Sequence, residues 1–147
     1  MVTTLPKCQF ESKNLILKLE TTLEGRTDSI QPFVDGIMKI VQSMGCAAGK
    51  ESEVETALLE ALANAVVHGC QNDPNKKVEC CVACDESRGM LIVIRDPGPG
   101  FDPAKIPSPI VGQNLFSSHG RGVFLINQLV DEVHYEKGGT EIHMKIS

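Results

Sequence analysis

The sequence predicts an α+β domain: a two-layer α/β sandwich in which a mixed, mostly antiparallel sheet carries its helices on one face. Three observations lead there. Five short runs have strand-like composition, and two pairs of them are joined by turns of only a few residues, which hairpins make and parallel crossovers cannot. Three other stretches repeat apolar residues at helical spacing. Strands and helices do not alternate regularly, which argues against a parallel doubly wound sheet.

Taken in order, residues 14–20 (NLILKLE) set Leu15, Leu17 and Leu19 against polar neighbours, a half-buried strand, and TTLEGRTD reads as the turn after it. From Ser29 to Gly45 the positions Ile30, Phe33, Val34, Ile37, Val41 and Met44 recur at helical spacing, with Asp28 or Ser29 as cap and Gly45 near the stop. A second helix runs from about Glu51 to His68 and stops at Gly69. VECCVACD and MLIVIRD are strands joined by ESRG, and the second is apolar on both faces, as a central strand is. The segment from Asp96 to Gly122 holds five of the eight prolines and five of the thirteen glycines, a density no regular element survives. VFLINQLVDEV then forms a helix, followed by strand VHYEK, the turn Gly138-Gly139, and strand TEIHMKI with Ile142, Met144 and Ile146 inward.

With 147 residues the chain fits a single domain over 1–147, with 1–12 as a flexible tail. A net charge of -5, no Trp and one Tyr argue against phosphate contacts and base stacking, and so against a nucleic-acid partner. No apolar run is long enough for a bilayer and the N-terminus lacks the pattern of a signal peptide, so a cytoplasmic protein with no membrane partner is expected. The six cysteines match no common zinc spacing. Reduced thiols acting as small hydrophobes are expected, in preference to disulfides or a cluster of Cys70, Cys80 and Cys84.

Chemistry concentrates in EALANAVVHG, residues 60–69. Glu60 and Asn64 are four apart and project from one helical face, and His68 extends the stripe. A carboxylate can accept a proton from a nucleophile, and an amide oxygen is a neutral hard ligand for magnesium. Alone, the same pair equally describes surface polarity, and a histidine ending a helix is more often structural than catalytic. Asp96-Pro97-Gly98-Pro99-Gly100 follows a central strand, where a carboxylate can accept from an exocyclic amine and glycines let a ligand approach the backbone. An ordinary turn has the same composition. His119-Gly120-Arg121-Gly122 opens a helix, so free amides and a guanidinium could hold phosphate there, although a glycine cap also looks like this. His119, His134 and His143 carry no assigned role, and the last two read as strand-surface residues.

In this order, EALANAVVHG, RDPGPGFDP and HGRGVFLINQLVDEVHYEKGGTEIHMKI resemble the Bergerat-fold ATPases, the superfamily of gyrase, histidine kinases and MutL. Within it they look like the bacterial anti-sigma factor serine/threonine kinases, over about residues 10–147. The resemblance implies ATP and Mg2+ as cofactors, with Asn64 holding magnesium, Asp96 reading adenine, Gly98 and Gly100 shaping that pocket and Thr140 supporting the base. It further implies that Gly120, Arg121 and Gly122 contact phosphates and that Glu60 is the proton acceptor, while the proline and glycine content before that phosphate loop suggests that residues 97–119 form an ATP lid. As partners it implies an anti-sigma factor antagonist as phosphoacceptor, a sigma factor, and a second copy in a homodimer. Pro97 and Pro99 depart from the family by removing two amide donors from the loop, which would weaken nucleotide affinity.

Two other functions fit parts of this pattern. A non-catalytic ATP/ADP-gated binding module needs Asp96 and the glycine loops but not Glu60. The detached ATPase domain of a sensor histidine kinase needs an upstream helical hairpin bearing a histidine, and the residues preceding the motif contain no histidine.

Overall fold

The first strand, β1 (Leu15–Glu24), pairs antiparallel with β2 (Lys77–Asp85) from Leu15 opposite Asp85 to Glu24 opposite Lys77. The computed structural model describes residues 15–85, 89–98 and 125–147. β1 is longer than the alternation of leucines predicts: Thr21, Thr22 and Leu23 carry the ladder through the expected turn, because β2 is long enough to pair with them and Leu23 is buried there. β3 (Gly89–Arg95) pairs with β2, and β5 (Glu141–Ile146) joins β3 to β4 (Glu132–Glu136). The order is β1-β2-β3-β5-β4, antiparallel at every step, with β3 central.

Two helices cover one face, α1 (Ile30–Ser43) and α2 (Glu51–Asn64). On α1 the buried positions are Ile30, Val34, Ile37, Met38 and Val41, one stripe at helical spacing. They share a core with Val54, Leu58 and Leu62 of α2 and with the inward Val82, Ile92, Ile94 and Met144 of the sheet. Each such side chain contributes about 1.5–3 kcal/mol when fully buried. The helix stops as the glycine signal predicts. Gly45 takes a φ of 73° and donates to Gln42 O at 3.1 Å, while Cys46 N donates to Val41 O at 3.0 Å, so the last carbonyls are satisfied by a Schellman turn. Glu51 and Glu53 lie in the first turn of α2, where the helix dipole favours them.

The structure corrects the sequence reading in several places. The second helix does not continue regularly to His68: Ala65–Gly69 is a π-helical turn, closed by Cys70 N donating to Ala65 O at 2.8 Å. The last helix ends earlier than its apolar spacing suggests. Residues 125–129 are helical, but Glu132 already belongs to β4, since Asp131 N donates to Lys145 O at 2.9 Å and hands the chain to the sheet.

Cysteine chemistry also differs from expectation. Cys46, in the turn after α1, is disulfide-bonded to Cys84 on the inward side of β2, and Cys81 is disulfide-bonded as well. Sequence spacing says nothing of this, because the turn of one layer meets the strand of the other only once both are packed. Cys70 and Cys80 are free and buried, and with Cys84 in a disulfide the three form no metal cluster. Of the two strand histidines, His134 is exposed and His143 is buried, its ring closed in by Glu136 and Glu141. Among the described residues no helix is long and apolar enough to cross a membrane.

Candidate functional site

A cleft of about 60 Å³ opens between the C-terminal end of α2 and the ends of β3 and β5. Asn64, His68, Asp96 and Thr140 all line it, so four residues singled out along the sequence meet in one place. Ile94, Ile126, Tyr135 and Ile142 supply an apolar wall. A mostly apolar cleft with a few polar groups at fixed positions is the usual form of a small-molecule site.

Asp96 is held from several sides. It follows β3 directly, and its amide donates to Thr140 O at 2.9 Å, which ties the end of β3 to the start of β5. Its Oδ1 accepts from Gly98 N at 2.8 Å. Burial pushes the carboxyl pKa up, and the Gly98 hydrogen bond works in the opposite direction. The loop is therefore shaped around a partly desolvated carboxylate, the state in which an acceptor recognises an amine donor most strongly.

Two glycines make that arrangement sterically possible. A Cβ on Gly69 would collide with the Asp96 carboxylate, and a Cβ on Gly98 would lie 2.5 Å from Gly69 O and 2.6 Å from its Cα. The end of α2 and the loop after β3 thus approach backbone to backbone. The π turn delivers Gly69 to this contact and places Cys70 behind it, where burial first and Asp96 second raise the thiol pKa.

Thr140 reaches the cleft from the other side. Its Oγ1 donates to Lys137 O at 2.8 Å, closing the tight turn between β4 and β5 in which Gly138 and Gly139 take φ values of 71° and 88°. Asn64, the last residue of α2, stands at the cleft wall and can offer a neutral oxygen to a cation. Glu60 sits one turn earlier on α2, half-buried, and does not line the cleft. Gly100, His119, Gly120, Arg121 and Gly122, and most of the proposed lid 97–119, lie outside the described residues.

Sequence reasoning assigns no pocket role to Gly69, Gly139 or the apolar wall. Gly69 reads as a helix stop and Gly139 as half of a turn, and both signals are correct but incomplete. Nothing in a single sequence says that the Cα of a stop glycine will face a carboxylate from another strand.

Comparison with known proteins agrees with this geometry. Residues 23–146 match the histidine kinase-like ATPase domain family. The chain is 34% identical over 101 residues to an anti-sigma F factor of Oceanobacillus iheyensis, covering 63% of this chain and 66% of that protein. It is 33% identical over 101 residues to the anti-sigma F factor of Geobacillus thermodenitrificans and 32% identical over 101 residues to that of Geobacillus stearothermophilus, in each case covering 64% of this chain and 67% of the relative. The chain thus spans about two thirds of the length of these relatives. With its antiparallel five-stranded sheet, its helices on one face and its cleft at the ends of α2, β3 and β5, this chain belongs to the histidine kinase-like ATPase domain family, among the anti-sigma factors.

Proposed function

We propose that this domain is an ATP-dependent serine/threonine protein kinase that acts as an anti-sigma factor, phosphorylating an antagonist protein and sequestering a sigma factor. The observation that carries the nucleotide part is the cleft in which Asp96, half-buried and braced by Gly98, stands beside the apolar wall of Ile94, Ile126 and Ile142. A flat heteroaromatic ring with an exocyclic amine fits that combination. The amine donates to the Asp96 carboxylate while the ring faces lie against the isoleucines.

The residues toward the open end suit the remaining work. Asn64 is the residue that would hold magnesium, which when bound neutralises charge on the transferring phosphoryl group. In this reading Gly120, Arg121 and Gly122 hold the phosphates and Gly100 shapes the loop. A Ser or Thr oxygen of the partner attacks the γ-phosphorus as its bond to the ADP oxygen breaks, and the hydroxyl proton passes to Glu60. The anti-sigma part rests on the relatives' names and on the family, and with it come a cytoplasmic location, a homodimer and a single domain over 1–147.

The second reading, a nucleotide-gated binding module without transfer, is favoured by one fact: Glu60 does not line the cleft. Glu60→Gln separates the two. Incubated with labelled Mg-ATP and candidate antagonist proteins, the parent chain should give an acid-stable phosphoserine or phosphothreonine. Glu60→Gln should keep ATP binding and lose about a hundredfold to ten-thousandfold in transfer rate. Transfer by Glu60→Gln at the parent rate, or an acid-labile phosphohistidine product, would overturn the mechanism.

A further inference from the structure

On the face of the sheet turned away from the helices, β4 and β5 bring four metal-ligating side chains into a two-by-two array. The register sets His134 opposite His143 and Glu136 opposite Glu141, and residues two apart on a strand share a face. His143 Nε2 lies 2.7 Å from Glu141 Oε1 and 2.8 Å from Glu136 Oε2. The three ligand atoms are within 4.8 Å of one another. We propose that Glu136, Glu141 and His143 bind a zinc-type transition-metal dication, with His134 or water completing the shell.

The burial pattern supports a built site. The Glu141 and His143 side chains are only 7% and 10% exposed, whereas Glu136 is 57% exposed and forms the open side. Glu141 Oε2 is sealed from water and makes no hydrogen bond. Among the described residues it lies 3.9 Å from Arg95 Nη1 and 3.8 Å from Lys137 Nζ. A desolvated carboxylate with one oxygen on His143 and the other held only by long ion-pair contacts is incompletely compensated, and a cation on the first oxygen would complete it. His143 Nε2 meanwhile carries at most one proton for two carboxylate oxygens. A single N–H can satisfy one of them, while a cation accepts lone pairs from all three atoms at once.

The surrounding charges allow a dication. Arg95 binds Glu79 through Nε and Nη2, at 3.1 and 2.9 Å, and turns Nη1 toward Glu141 at 3.9 Å. Lys137 is exposed, and the carboxylates of Glu79, Glu136 and Glu141 outnumber the two cations Arg95 and Lys137, leaving negative charge beside the imidazole. Imidazole with carboxylates selects zinc and its neighbours over magnesium or calcium, which prefer all-oxygen shells. Tetrahedral zinc would spread the donor atoms to about 3.3 Å apart, a half-ångström adjustment the exposed Glu136 can make. An ion there would tie together the two strands whose connecting turn supplies Gly139 and Thr140 to the cleft.

The test titrates zinc, and separately cobalt(II), into the full chain after chelator treatment, following heat by calorimetry and the cobalt d–d bands by absorption. One ion per chain with micromolar affinity is expected, without a sulfur-to-cobalt charge-transfer band. Glu136→Gln, at an exposed position, should keep the fold and weaken zinc by at least about tenfold. His143→Gln should do the same if it folds, and Glu136→Gln decides alone if it does not. Three results would each overturn the proposal: no binding at millimolar zinc, a thiolate band, or a folded Glu136→Gln variant that binds zinc as the parent does.

Discussion

The Cα of Gly69 faces the Asp96 carboxylate with no room for a side chain between them. This single contact joins the π turn at the end of α2 to the loop after β3, and it makes the cleft a product of two segments that are distant in sequence.

Gly69→Ala should therefore destabilise the fold by about 1–3 kcal/mol, the range for overfilling a packed site, and abolish nucleotide binding by displacing Asp96. Gly36→Ala is the matched control. That glycine lies in α1, and nothing stands within 4 Å of the point a methyl group would occupy, so alanine should stabilise by about 0.5–1 kcal/mol. Urea denaturation of both variants checks the pair, and equal effects would remove the steric account.

Asp96→Asn should separate stability from binding. Burial raises the Asp96 pKa, so the folded state holds the proton more tightly than the unfolded chain does. Stability contributed by the protonated form is present below the unfolded pKa and is lost as pH rises toward the folded one. At neutral pH the ionised carboxylate is then a cost, which Asn removes. The variant should melt higher than the parent at neutral pH, with the gap closing in acid. It should also bind ADP and ATP more weakly, since the amide cannot replace the carboxylate acceptor. Scanning calorimetry across pH, with titration calorimetry for ADP, reads both; an unchanged ADP affinity would withdraw the adenine assignment.

The Cys46–Cys84 disulfide closes a loop of 38 residues. Loop-closure entropy gives it about 3–4 kcal/mol, so reduction or Cys46→Ser should lower unfolding stability by that order. Both cysteines are buried, at 2% and 3% exposure, so a reductant reaches the bond only through opening of the fold. Non-reducing peptide mapping should recover the linked peptides, and recovery of two free thiols would refute the pairing.

Cys80 is fully buried and its thiol pKa is pushed up to about 12 by desolvation, while Cys70 is raised by burial and by Asp96. Thiolate is the reactive form, so neither should alkylate in the native protein at neutral pH. Iodoacetamide labelling followed by mass spectrometry should mark both only after denaturant is added.

Much of this is legible in the sequence. The apolar run of MLIVIR, the alternation in EIHMKI, the helical stripe of α1 and the glycine at its end each report a local preference that packing leaves in place. Legibility fails where one segment answers to another. The extension of β1 through Thr22 depends on the length of β2, and the burial of His143 depends on two glutamates placed by strand register. The π turn arises at a helix end that must bring Gly69 against Asp96, and the disulfide needs the turn after α1 to meet β2. Asn64, Asp96 and Thr140 stand out because their residue types carry chemistry. The glycine and isoleucines beside them carry only shape, which one sequence does not display.

The hydrogen bond from Asp96 N to Thr140 O has a temporal consequence. During synthesis the ribosome releases α2 and β3 well before β5, so a nascent chain can hold its helix, its loop and its carboxylate and still lack the opposite wall. Competence arrives only when the final strand zips onto the middle of the sheet. Stalled ribosome–nascent chain complexes ending before Glu141 should fail to retain ADP, whereas complexes with Ser147 clear of the exit tunnel should capture it. The cell would thereby avoid loading a nucleotide onto an unfinished regulator.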